Sequence, residues 1–191
     1  MINEWDLKAL EWALKPESTV VECGAFHGRW ALEIMQRANP NLHMFEPQMW
    51  LEPELKSTFK GWHKAYVHMY GLGTETRQAR LWEVGNDGAT FVNNTDARDE
   101  GQVFDIREIG ITFYDLGLNA IDLMLINIEG GEYTLIPHMF AKQIFPKWLM
   151  VQMHLKFGDE HDLCQKIEQH YKMLWDYGSI LRAWERREQN P

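Results

Sequence analysis

Short apolar runs alternate along this chain with segments whose apolar residues recur at helical spacing. Thr19-Val20-Val21 is β-branched and closes on Glu22 and Cys23, the composition of a buried strand. The chain then passes through Gly24-Ala25-Phe26-His27-Gly28 and opens into Trp30-Ala31-Leu32-Glu33-Ile34-Met35, whose apolar positions predict a helix running to about Ala38. Leu42-His43-Met44-Phe45 reads as a second buried strand ending at Glu46-Pro47. Gln48 to Lys60 reads as a second helix, with Trp50, Leu51, Leu55 and Phe59 as its stripe. Ala65 to Tyr70 is a third strand that stops at Gly71-Leu72-Gly73.

Beyond that point the pattern predicts a hairpin, Arg80 to Val84 and Ala89 to Val92, around the turn signal Gly85-Asn86-Asp87-Gly88. The polar stretch from Asn93 to Gln102 is expected to be a loop, Val103 to Ile109 an edge strand and Phe113 to Leu118 a helical turn. Ala120-Ile121-Asp122-Leu123-Met124-Leu125-Ile126 is almost continuously apolar, as a strand buried on both faces requires. It delivers Asn127-Ile128-Glu129-Gly130-Gly131-Glu132 to its end. A helix from Tyr133 to Phe140, a strand from Trp148 to Met153 followed by His154, and a helix from Asp162 to Tyr171 follow. Two closing strands, Lys172 to Tyr177 and Ile180 to Trp184, complete the pattern. Strands alternating with helices predict an α/β fold, a mostly parallel sheet with helices on both faces and an antiparallel strand at the end. The expected organisation is one domain over 1–191, with an N-terminal helix in 1–17, a ligand-binding core in 18–155 and a closing helix and hairpin in 156–191.

Composition narrows the function classes. With 191 residues, a single domain buries roughly 70% of the surface of its unfolded chain. A formal net charge of −9 supplies no long-range attraction for phosphate backbones or anionic lipid, so neither nucleic acid nor membrane is an expected partner. The two cysteines, Cys23 and Cys164, form no disulfide framework and no CxxC site. With no basic leader, apolar signal core or run of about 18 apolar residues, the expectation is a cytoplasmic protein.

The chemistry collects at the strand ends. A strand, glycine turn and helix start bring backbone N–H groups and the positive end of a helix to a ligand, and Gly24 and Gly28 carry no Cβ to block the approach. An acid about twenty residues further on, here Glu46, sits where a ribose diol donates two hydrogen bonds. The pattern is not the nicotinamide fingerprint G-x-G-x-x-G, because aligning its last glycine on Gly28 puts Cys23 and Ala25 on the other two. A nicotinamide-dependent oxidoreductase is therefore the weakest reading. His63, His68 and His138 have no partner at a metal-ligand spacing, so no metal is expected.

Val20-Val21-Glu22-Cys23-Gly24-Ala25-Phe26-His27-Gly28 resembles the first motif of class I S-adenosylmethionine-dependent methyltransferases. His43-Met44-Phe45-Glu46-Pro47 is similar to the "FEP" of the FkbM family within that class, and Ile121 to Glu132 resembles its "IDLLKIDVEGAE" block. Tyr70-Gly71-Leu72-Gly73 and Val151-Gln152-Met153-His154 fall where family members also end strands. Asn127 stands where the family usually has Asp, and Leu125 where it usually has Lys. The resemblance implies a Rossmann-like fold and S-adenosylmethionine as cofactor. It places Glu22, Gly24, Ala25, Phe26, His27, Gly28, Glu46, Pro47, Gly71, Leu72 and Gly73 around that cofactor. It also implies methyl transfer to a small hydroxylated acceptor, a glycan or natural-product hydroxyl among the candidates. The catalytic candidates are His154 as general base, Glu129 as a group orienting the cofactor's methionine part or the substrate, and Asn127. Two alternatives stay open, N-methylation of a small amine and a cofactor-binding module without chemistry of its own. A homodimer is compatible with the sequence without being specified by it.

Overall fold

A computed structural model describes residues 13–82, 102–178 and 180–188. Ten strands are seen among them: β1 (Thr19–Cys23), β2 (Asn41–Phe45), β3 (Ala65–His68), β4 (Gly71–Gly73), β5 (Arg77–Leu81), β6 (Gln102–Glu108), β7 (Leu123–Ile126), β8 (Trp148–Gln152), β9 (Tyr171–Tyr177) and β10 (Leu181–Arg186). The helices are α1 (Arg29–Ala38), α2 (Glu52–Thr58), α3 (Ile109–Asp115), α4 (Glu132–Ala141) and α5 (Glu160–Glu168). A 3-10 turn, Met49–Leu51, precedes α2.

The main sheet has the order β3-β2-β1-β7-β8-β10-β9. Its neighbours from β3 to β8 pair in parallel, and β10 is antiparallel to both β8 and β9. Successive side chains of a strand face opposite ways, so the apolar runs feed two cores. Val21, Cys23, Phe45, Met124, Ile126 and Val151 share one core with Leu135, Ile136 and Met139 of α4 and with Leu163 and Ile167 of α5. Val20, Leu42, Met44, Leu123, Leu125 and Met150 share the other with Trp30, Ala31, Ile34 and Met35 of α1. The strand β7 is buried at every position, which is why its sequence does not alternate.

The order reverses at β1. The connections from β1 run outward through β2 to β3, while β7 and β8 lie on its other side. Such a switch point opens a crevice beyond the carboxyl ends of the two central strands. Here their ends touch, the Asn127 N–H donating to the Cys23 carbonyl at 3.0 Å. Gly24, at φ +85°, is required there, because a Cβ would lie 1.9 Å from the Asn127 carbonyl oxygen.

Several expected elements shift. The second helix is shorter than the apolar stripe implied, because Pro53, in the first turn of α2, begins that helix instead of interrupting it. The strand called for at the edge, β6, is the middle strand of a second sheet, β4-β6-β5. Arg77–Leu81 pairs antiparallel with it. The other arm of the expected hairpin and the polar loop after it fall in 83–101, outside the described residues, as does most of the expected N-terminal helix. Helix α3 begins earlier than the pattern suggested, at Ile109, because the Glu108 carboxylate accepts the Ile111 N–H at 2.6 Å and caps it. No helix among the described residues is long and apolar enough to cross a membrane.

Candidate functional site

The crevice at the switch point is a cavity of about 670 Å³. The end of β1 contributes Glu22, Gly24, Ala25, Phe26 and His27, and the end of β2 contributes Glu46 and Pro47. Strand β4 contributes Gly71, Leu72 and Gly73, and the end of β7 contributes Asn127 and Glu129. Two of the expected site residues are not on its wall. Gly28 begins α1 at φ +69°, and a Cβ there would lie 2.8 Å from the Phe59 ring, so its small size serves the packing of α1 on α2. His154 stands behind Glu129.

Glu46 is 2% exposed. Its Oε2 accepts the Phe26 N–H at 2.8 Å and its Oε1 the Gln48 N–H at 2.9 Å, and the Gln48 side chain bonds the same carboxyl. Phe26 holds φ +46°, a conformation non-glycine residues rarely adopt, and its N–H meets that carboxylate. Burial raises the Glu46 pKa, opposed by the backbone bonds from Gln48 and Phe26. The carboxylate thus ties the glycine turn to the end of β2. His27 Nδ1 lies 2.9 Å from Glu54 of α2. Burial pushes the Cys23 thiol up, with the Glu22 charge adding to it, so no thiolate nucleophile is available there.

On the β7 side a buried cluster sits against the wall. Glu132, the first residue of α4, is 0% exposed. Its Oε2 accepts the Gly130 N–H at 2.8 Å, and its Oε1 lies 3.0 Å from the His154 N–H and 2.9 Å from His154 Nδ1. His154 Nε2 lies 2.6 Å from Glu129 Oε1. Burial alone would lower the His154 pKa, but hydrogen bonds and charge from Glu129 and Glu132 outweigh it and lift the pKa to about 9. An imidazole already protonated at neutral pH has no lone pair with which to act as a general base. Where the sequence led us to expect a general base, the structure places His154 with a carboxylate at each ring nitrogen.

Other wall residues were not legible in the sequence. Arg77, Leu81 and Ile106 belong to the second sheet, Trp30 to α1, and Gln152 to β8. Their strands and helix are signalled by pattern, but nothing local tells that β5 and β6 fold over the end of β1. The buried Oδ1 of Asn127 and Nε1 of Trp30 have no hydrogen-bond partner, an acceptor and a donor left for a ligand. Among the described residues no group of three or more His, Cys, Asp or Glu side chains is arranged to hold a metal ion.

Neither a family model nor a curated protein matches the chain. Solved structures do. An rRNA methylase from Streptococcus thermophilus is 11% identical, with a TM-score of 0.55 over 98% of this chain and 99% of that one. A Streptococcus mutans protein in complex with SAH is 10% identical, with a TM-score of 0.58 over 98% and 100% of the two chains. TrmK of M. capricolum, in complex with S-adenosyl-homocysteine (SAH), is 9% identical, with a TM-score of 0.50 over 98% and 70%. The fold is that of the Rossmann-like methyltransferases.

Proposed function

We propose that the protein is an S-adenosylmethionine-dependent methyltransferase acting on a small hydroxylated acceptor. The observation that carries the reading is the pairing, across one crevice, of the Glu46 carboxylate at the end of β2 with the glycine turn at the end of β1. The residues present fit a nucleoside cofactor. A carboxylate offers roughly four acceptor sites, so Glu46 keeps capacity for a ribose diol, with the Gln48 side chain as the displaceable competitor. Gly24, Ala25 and Phe26 present backbone beside it, and Asn127 offers its unmatched oxygen at the end of β7.

S-adenosylmethionine, when bound, supplies an electrophilic methyl group and departs as the thioether. The chain's part is to hold the acceptor oxygen in line and to keep water out. Such positioning is worth as much as about 7–11 kcal/mol of barrier. The FkbM subfamily remains our reading of the FEP-like and IDLLKIDVEGAE-like blocks, including Asn127 in place of the usual Asp.

The acceptor has a rival. Two of the similar structures are a rRNA methylase and a fibrillarin pre-rRNA processing protein, which favours an RNA acceptor. The charge of −9 supports a small molecule instead, because it gives no net attraction for a phosphate backbone.

The test is thermal unfolding with S-adenosylhomocysteine or NAD at about a hundred times a plausible Kd. Linkage predicts ~2.7 kcal/mol for the ligand that binds, a rise of roughly 5–11 °C for a domain of this size. Glu46→Ala is expected to remove most of that rise. A rise with NAD alone, or none with either, overturns the reading.

A further inference from the structure

Glu129, His154 and Glu132 form a line of charges that runs from the cavity wall into the interior. Glu132 is wholly buried and meets His154 through both the backbone N–H and Nδ1. The other ring nitrogen meets Glu129 at 2.6 Å. A carboxylate accepts and does not donate. An imidazole with a carboxylate on each nitrogen therefore donates from both, and His154 is the cation between two anions. Its role is to hold. A buried carboxylate such as Glu132 is retained only with a compensating charge, and that arrangement fixes the ring that fixes Glu129. The backbone gives the same indication, since Glu129 takes φ +49°, a conformation that persists where the surroundings over-determine it.

The position of Glu129 decides what this serves. Glu46 closes β2, the glycine turn closes β1, and Glu129 follows β7, which are neighbours in that order. Adjacent strands lie about 4.8 Å apart, so Glu129 stands roughly 10 Å across the crevice from the ribose side. A nucleoside held at Glu46 would have the glycine turn and then Glu129 as the next strand ends along the crevice. The other carboxylates among the described wall residues, Glu22 and Glu46, stand at the ends of β1 and β2.

We propose that Glu129 is the catalytic carboxylate facing the reacting atoms and taking the acceptor's proton, and that His154 and Glu132 are positioning residues that hold it there. This rests on the cofactor reading above. Glu129 removes the hydroxyl proton while an oxygen lone pair forms the new O–C bond to the methyl group and the C–S electron pair stays on sulfur. The products are the methyl ether and the neutral thioether, and the proton on Glu129 is then lost to water.

A carboxylate at the reacting atoms attracts the sulfonium of S-adenosylmethionine and not the uncharged sulfur of S-adenosylhomocysteine. Calorimetric Kd values for both, on the full chain, read this directly and need no acceptor. Glu129→Gln is expected to lower the affinity for S-adenosylmethionine relative to S-adenosylhomocysteine at least about fivefold, with S-adenosylhomocysteine itself within about twofold of the parent. His154→Gln is expected to lower the ratio in the same direction, and the double variant to lower it no further than Glu129→Gln alone. Should His154→Gln fail to fold, Glu129→Gln carries the test by itself. A ratio unchanged in Glu129→Gln, or both affinities falling together, overturns the assignment while leaving the cofactor reading intact. A parent protein that binds neither compound overturns both.

Discussion

His154 shows how a residue's chemistry depends on what faces it. Alone at a strand end, a histidine with its ordinary pKa is the natural candidate for a base. Between Glu129 and Glu132 it becomes a structural cation, with a pKa lifted to about 9 from the usual 6.5. The folded state then binds a proton more tightly than the unfolded chain. The resulting stability is complete below about pH 6.5 and is lost as pH rises through about 9. A shift of this size is on the order of 3 kcal/mol before solvent screening. Urea midpoints are expected to fall between pH 7 and 10, with a smaller fall in Glu129→Gln. Nitrogen-15 NMR is expected to show both His154 nitrogens protonated at pH 8, and a neutral ring there would refute the clamp. Glu46 was readable in advance as the acid after the second strand. Its bond to the strained Phe26 N–H was not, because φ +46° at Phe26 arises only once two strand ends are brought together.

At the scale of elements, the two glycines of the first turn do different work. Gly24 lets the end of β1 pass the Asn127 carbonyl, and Gly28 lets α1 sit on Leu55 and Phe59 of the α2 region. Gly24→Ala meets backbone and is expected to cost more than about 4 kcal/mol, among the largest single-site effects. Gly28→Ala meets side-chain ends that can shift, and is expected to cost about 1–3 kcal/mol at its left-handed φ. Thermal unfolding of both variants checks the order, and equal losses would mean that the β1–β7 contact is looser than its 1.9 Å approach implies. The sequence marked both glycines alike as cofactor contacts, since spacing is blind to what lies across from a turn. The helix α2 was overextended for a similar reason. Its stripe was visible, but Pro53 stands in the first turn, so the helix begins at Glu52 and not at Gln48.

For the whole molecule, net charge bears on the proposed acceptor, since this chain carries −9. Filter binding of a short single-stranded RNA at about 50 mM and 200 mM salt separates a small acceptor from RNA. The small-acceptor reading predicts Kd weaker than about 10⁻⁴ M, with little salt dependence. Micromolar binding that falls by orders of magnitude over that interval would transfer the acceptor to RNA.

What the sequence determined by itself was local in origin. Alternation and buried runs specify strands, helical spacing specifies helices, and an acid or glycine at a strand end is carried wherever that end goes. One edge of a parallel sheet therefore collects Glu22, Gly24, Glu46, Asn127 and Glu129 without any knowledge of packing. The tertiary structure decided the rest. It folded β5 and β6 over the crevice with Arg77, Leu81 and Ile106. It moved Gly28 from ligand to helix packing, and it set His154 between two carboxylates from a loop and a helix start some twenty residues earlier. Those outcomes depend on strand order and on burial, and a partner across the fold sets charge state through desolvation and hydrogen bonding, which no local pattern encodes.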